Sequence, residues 1–219
     1  NYRAMMEEFK RQRGITPQEL AKIIVSTYRQ FYQNKTDIFM LSGINLSHMA
    51  GINENINHVA SRLCAYMDSY GTPFKHLLIK ARKASLDFAN PIFTDLRSFY
   101  LELYKQLSSI NLSRVSNISQ PPPPTLYHAP GLYSEANDTL EIRELKHLLL
   151  TGVALMEESV IIHTSSQRLS RSSGFGIYFP CRDFYDSYNS GIFSQISAWP
   201  TFIKKFFGMV QEREFMQLV

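Results

Sequence analysis

Residues 160–180 read VIIHTSSQRLSRSSGFGIYFP, and this stretch decides the fold class. Val160-Ile161-Ile162 is a continuous apolar run too short for a helix, the pattern of a buried strand. Between Ser165 and Ser173 stand five Ser and two Arg, a turn composition. Phe175 to Phe179 then reads as a second strand, opened by glycines and ended by Pro180. The spacing predicts that the two strands, about 160–163 and 175–180, are neighbours within a larger sheet. A helix feeds the first of them: Ile142, Leu145, Leu148, Leu149, Val153 and Met156 share one face between about Thr139 and Glu158. After the second strand, Tyr185, Tyr188, Phe193 and Trp199 lie in a loop-rich stretch. A closing helix carries Phe202, Phe206 and Val210.

Helix signals dominate upstream. Tyr2, Met5, Met6 and Phe9 recur at helical spacing up to Gly14. Thr16-Pro17-Gln18-Glu19 is a capping box with Pro at the first helical position. Leu20, Ile23, Ile24, Thr27, Tyr28 and Phe31 form one stripe behind it. Asp37 to Gly43 reads as a short strand, followed by a helix with Ser47 as its cap and Ile52, Ile56, Val59, Leu63 and Met67 on one face. Gly71, Pro73 and Pro91 break up residues 71–94. A further helix starts near Asp95 with Leu96, Phe99, Tyr100, Leu103 and Leu107. The chain thus divides into a helix-rich part (1–107), a Pro/Ser/Asn-rich loop or strap (108–138) holding Pro121-Pro122-Pro123-Pro124, and a final part (139–219) of helix, two strands and closing helix. Helices interspersed with short strands that are apolar on both faces give an α/β class, a sheet covered by helices.

The composition narrows the function classes. The chain has 219 residues with 44% apolar and 19% charged side chains. It is therefore globular, and not a collagen, a coiled-coil rod or a disulfide scaffold. No apolar run approaches the roughly 20 residues of a membrane span. The net charge of +4 is local, since seven Lys/Arg face three Glu between Asn1 and Lys35. These bases read as solvated helix faces and not as a nucleic-acid stripe, because exposed aromatics are not interleaved with them. The opening Asn1-Tyr2-Arg3 has no apolar segment behind it and no initiator Met, so a mature or excised chain without a signal peptide is expected.

The search for chemistry returns few candidates. There is no phosphate-cradling loop, no GxSxG elbow and no HExxH. Among six histidines, His163 at the end of the apolar strand is the best single candidate for catalysis, with a structural role as the plainer reading. His128 in the proline loop is a weaker candidate for ligand contact. Cys64 sits on an apolar helix face and reads as a core thiol, and Cys181 follows the strand-ending Pro180. Neither has a CxxC partner or metal-ligand spacing. Carboxylates pair only as Glu7-Glu8 and Glu157-Glu158, both solvated helix positions. Asn34, Asn45, Asn111, Asn117 and Asn137 open glycosylation sequons, which a Ser- and Asn-rich chain makes by chance. The catalytic set and the metal set are both expected to be empty.

Several segments, taken in order, resemble the C-terminal part of clostripain-like cysteine peptidases. They are Tyr2–Phe9, Thr16–Tyr28, Leu41-Ser42-Gly43-Ile44-Asn45-Leu46, Phe93–Phe99, Ser173–Pro180, and Tyr185, Tyr188 and Trp199–Ile203. Gly43 and Asn45 stand where the family has Ala and Asp. The resemblance implies the C-terminal portion of a caspase-like α/β/α sandwich with a largely helical C-terminal extension. It also implies membership of an endopeptidase that cleaves after Arg or Lys. The family's catalytic His lies in a His-Gly pair and its Cys follows a small residue. This chain has no His-Gly pair, and Cys64 and Cys181 follow Leu63 and Pro180, so neither role transfers to any residue here.

The expected partners are therefore an upstream segment or chain carrying the Cys-His dyad and a peptide or protein substrate, without nucleic acid. Calcium dependence occurs in the family, but no Asp-rich loop supports a site in this chain. A bacterial, exported enzyme is the implied setting. Two alternatives remain from the residues themselves: a catalytically inactive, protein-binding relative, and a helical interaction module with exposed aromatics.

Overall fold

The computed structural model describes residues 2–11, 14–88, 92–109, 139–180, 188 and 191–209. The proline run, His128, Cys181, Tyr185 and Val210 lie outside them. Helix α1 (Tyr2–Arg11) is followed by α2 (Pro17–Tyr32). The expected capping box opens α2: the Glu19 amide donates to Thr16 Oγ1 at 3.3 Å and the Thr16 amide donates to the Glu19 carboxylate at 2.8 Å. Strand β1 (Met40–Ile44) leads through a short 3-10 turn into α3 (Met49–Ala84). The cap at this step is Asn45, whose side chain accepts from the Ser47 amide at 3.1 Å. Ser47, the expected cap, lies inside that turn, and the N-cap position of α3 is His48, which makes no side-chain cap hydrogen bond.

Helix α3 runs through the stretch that Gly71 and Pro73 were expected to break up. It is two helical halves joined at Gly71, whose φ of +57° is open to glycine at little cost. Pro73 falls in the first turn of the second half, where its missing N–H costs nothing. Phe74, Leu77, Leu78 and Ala81 then drive the helix onward because all four bury completely or nearly so. The chain continues as β2 (Phe93–Asp95), α4 (Leu96–Ser109), α5 (Leu140–Ser159), β3 (Val160–Ser165), β4 (Gly176–Tyr178), α6 (Ile192–Ile196) and α7 (Trp199–Met209). On α4 and α5 the stripes read from the sequence are the buried faces: Leu96, Phe99, Tyr100, Leu103 and Leu107 on α4, and Ile142, Leu145, Leu149, Val153 and Met156 on α5, with Leu148 half-buried; on α1, by contrast, Met6 and Phe9 are exposed. No helix among the described residues is long and apolar enough to cross a membrane.

The strands correct the expectation for the sheet. The described residues form two separate two-stranded antiparallel ladders, β1 with β3 and β2 with β4. Val160–Ile162 and the Phe175–Phe179 stretch are therefore extended as expected but are not neighbours. Each takes its partner from the first half of the chain, in registers Ser42↔His163 and Thr94↔Ile177. The apolar run at 160–162 is only half-buried. Helix α2 covers one face of its ladder, so it is not a strand enclosed on both sides. The fold is mixed helix and sheet, predominantly helical.

Helices α3, α4, α5 and α7 pack around one core. Its centre is an aromatic cluster in which Phe179 lies edge-on to Phe99 at 5.1 Å, Phe206 at 5.2 Å, Phe202 at 5.5 Å and Trp199 at 5.7 Å. Edge-to-face pairs of this kind add about 0.5–1.5 kcal/mol each beyond the area they bury. The Trp199 indole N–H donates to the Tyr178 carbonyl at 2.7 Å, so α7 is pinned to β4 as well as packed on it.

Candidate functional site

The two ladders meet at a cluster of polar side chains: Ser42 on β1, His163 on β3, Asp95 at the end of β2, and Ser172, Ser173 and Gly174 on the loop before β4. Ser42 and His163 are a cross-strand pair, and the register alone sets them side by side. Ser42 Oγ lies 2.8 Å from His163 Nδ1, and Ser172 Oγ lies 3.3 Å from His163 Nε2. The imidazole is therefore held on both nitrogens, one accepting and the other donating. Burial lowers the His163 pKa from its ordinary value, and the negative charge of Asp95 partly opposes this. The lowered pKa favours the neutral ring.

Asp95 fastens the loop. It is fully buried. Its Oδ1 accepts from the Ser98 amide at 2.8 Å, which also caps the start of α4. Its Oδ2 accepts from the Ser173 amide at 2.6 Å and from the Ser173 hydroxyl at 2.9 Å. Burial raises the Asp95 pKa, while the Ser173 and Ser98 donors pull it down. Gly174 follows with φ +90°, and a Cβ there would stand 2.1 Å from Ser42 Oγ and 2.9 Å from Ser42 Cβ. Only glycine lets this loop lie against Ser42.

A hydroxyl bonded to a neutral imidazole is the nucleophile–base unit of acyl transfer. What differs from a triad is the third member. The far ring nitrogen meets a hydroxyl, Ser172, while the nearby carboxylate is spent on Ser98 and Ser173. The arrangement also ties four chain segments together, which a structural clasp requires.

Of the other sequence candidates, His128 and Cys181 lie outside the described residues, and Cys64 lies apart from this cluster. Cys64 is on α3, half-buried against the core and not disulfide-bonded. Burial raises its pKa, with Lys205 partly opposing, so the thiol is protonated at neutral pH and a poor nucleophile. Among the described residues, no three His, Cys, Asp or Glu side chains are grouped to hold a metal ion. Sequence reasoning singled out His163 but gave no chemical role to Ser42 or Asp95. Both sat inside segments quoted for other reasons. Their significance depends on pairings across 121 and 78 residues that no local pattern reveals.

The pH response of the cluster has a definite sign. A histidine whose folded pKa is depressed takes up its proton more readily in the unfolded chain. The stability it confers is complete above its ordinary pKa near 6.5 and is lost as pH falls from there through the lowered folded value. Urea unfolding at pH 7.5 and pH 5.5 is expected to show lower stability at pH 5.5. His163→Gln should flatten that difference, and an unchanged slope in this variant would contradict the assignment.

Comparison with known protein families, with curated proteins and with solved structures finds no match.

Proposed function

We propose that this chain is the non-catalytic C-terminal portion of a clostripain-like cysteine endopeptidase that cleaves after Arg or Lys. Its role is to buttress an active site whose Cys and His are supplied by an upstream segment. One observation supports the reading above others. Four of the segments that carry the resemblance, far apart in sequence, are bonded to one another, directly or through His163 and Ser172. Leu41–Leu46 contributes Ser42, Phe93–Phe99 contributes Asp95, Ser173–Pro180 contributes the loop and β4, and Trp199 bonds to Tyr178. The one described cysteine, Cys64, has the raised pKa of a structural thiol.

The test is hydrolysis of fluorogenic peptides with Arg or Lys before the scissile bond. The purified chain alone is expected to give no turnover, and a chain extended upstream to include a His-Gly pair and its cysteine is expected to cleave. An extended chain that is inert, or that lacks such a pair, would favour the inactive protein-binding relative.

The Ser42–His163 hydrogen bond favours a second reading, a serine hydrolase with Ser42 as nucleophile and His163 as base. Turnover by the chain alone that Ser42→Ala abolishes would select it.

A further inference from the structure

A cleft of about 580 Å³ opens between the last turn of α2, the segment leading into β1 and the residues at the end of β3. This volume falls within the roughly 300–1,000 Å³ of small-molecule sites. Arg29 and Asp37 line one side of the cleft, and Ser165, Ser166 and Arg168 line the other. Three features of this lining ask for a ligand.

The first is the pair of arginines. Among the described residues, neither the Arg29 nor the Arg168 guanidinium has an ion-pair or hydrogen-bond partner, whereas Arg62 pairs with Glu144 and Arg97 with Glu157. The second is Ser166. It is only 6% exposed, and its Oγ is buried without a hydrogen-bond partner. Folded proteins rarely leave a buried hydroxyl in that state. It does not cap the short turn that follows it either. The third is the balance of charge. Two guanidiniums and one carboxylate, Asp37, line the cleft, which leaves its charged side chains positive by one unit.

The geometry points to a binding site for the phosphate group of a small phosphorylated molecule. Two guanidinium forks, which can only donate, stand beside the hydroxyls of Ser165 and Ser166, which can turn their O–H toward the same anion. A phosphate with three outward oxygens can engage them all, where a carboxylate has two. Asp37 takes a hydroxyl donor from the rest of the molecule, which selects a phosphate ester over a nucleic-acid backbone. Nothing in this site uses peptide-cleaving chemistry, so it stands independently of the peptidase reading.

Calorimetric titration of the full chain with inorganic phosphate, glycerol phosphate and acetate tests it. Saturable binding of both phosphates is expected, tighter than acetate. Arg29→Ala and Arg168→Ala alter exposed side chains and should each weaken glycerol phosphate tenfold or more, the loss of a charge-assisted contact. Ser166→Ala should weaken binding while leaving the melting temperature unchanged or higher, because the free chain has no hydrogen bond there to lose. Absence of saturable phosphate binding overturns the proposal. So does acetate binding as tight as phosphate, affinity indifferent to both arginines, or a Ser166→Ala variant that melts lower and binds normally.

Discussion

Replacing Asp95 with Ala is expected to cost about 3 kcal/mol or more of folding stability. The carboxylate is fully buried and takes three hydrogen bonds, from the Ser98 amide, the Ser173 amide and the Ser173 hydroxyl. Truncation leaves these donors without their acceptor in a site that water does not reach, and each such group costs roughly 1–3 kcal/mol. The loss propagates because Asp95 stands at a junction. It pairs with Gly176 in the β2–β4 ladder, starts α4, and holds the loop that sets Ser172 on His163. Asp95→Asn retains one acceptor oxygen and should lose about half as much by the same count of donors. Urea denaturation of the three proteins gives the comparison. A loss below about 1 kcal/mol for Asp95→Ala would mean that the loop is held by something other than this carboxylate.

Arg82 is the second point where one substitution should do large damage. Its side chain is fully buried at the last turn of α3. Nε donates to the Phe179 carbonyl at 2.6 Å, Nη1 pairs with Asp87 Oδ1 at 2.8 Å, and the guanidinium lies 5.4 Å from the Phe179 ring centre. Asp87 also accepts from the Thr94 hydroxyl at 2.7 Å, so the pair joins α3 to both β2 and the strand end after β4. Breaking a buried ion pair from one side costs about 3–5 kcal/mol, because the partner is left charged and unmatched. Asp87 keeps about a third of its side chain in solvent, which places Arg82→Met near the lower end. The double variant Arg82→Met with Asp87→Asn should be less destabilised than the sum of the singles, by about 1 kcal/mol or more. Strict additivity in that cycle would show that Arg82 acts through its packing and its bond to Phe179 and not through Asp87.

Much of the helical architecture is legible in the residues, and the reasons are local. The Thr16–Glu19 box, the α4 stripe from Leu96 to Leu107 and the α5 stripe from Ile142 to Met156 all depend on spacings of three and four residues. The chain cannot satisfy those spacings any other way and still bury its apolar groups. The Gly71–Pro73 pair misleads because each residue breaks a helix taken alone. Together they make a turn and a restart, and the apolar spacing of Phe74, Leu77 and Ala81 was the signal that the helix resumes. The strands are legible as strands but not in their pairing. Val160–Ile162 and the segment ending at Phe179 are near in sequence, yet each satisfies its backbone with a strand from the first half of the chain.

The site is harder still to read. His163 stands out because a polar residue ends an apolar run. Ser42 and Asp95 acquire meaning only when β1 meets β3 and the loop at Ser173 folds back on β2. Arg82 gave no signal at all: an arginine near the end of a helix reads as a favourable charge on the helix dipole. Only the completed core shows that it is enclosed.

The central claim is that these residues build a supporting wall and carry no activated nucleophile of their own. Intact-mass measurement after exposure to an arginyl acyloxymethyl ketone, which captures cysteine peptidases, and to a fluorophosphonate, which captures reactive serines, tests it most directly. The account predicts an unmodified chain at neutral pH with both reagents. A stoichiometric adduct that disappears in Cys64→Ala, Cys181→Ala or Ser42→Ala would contradict it.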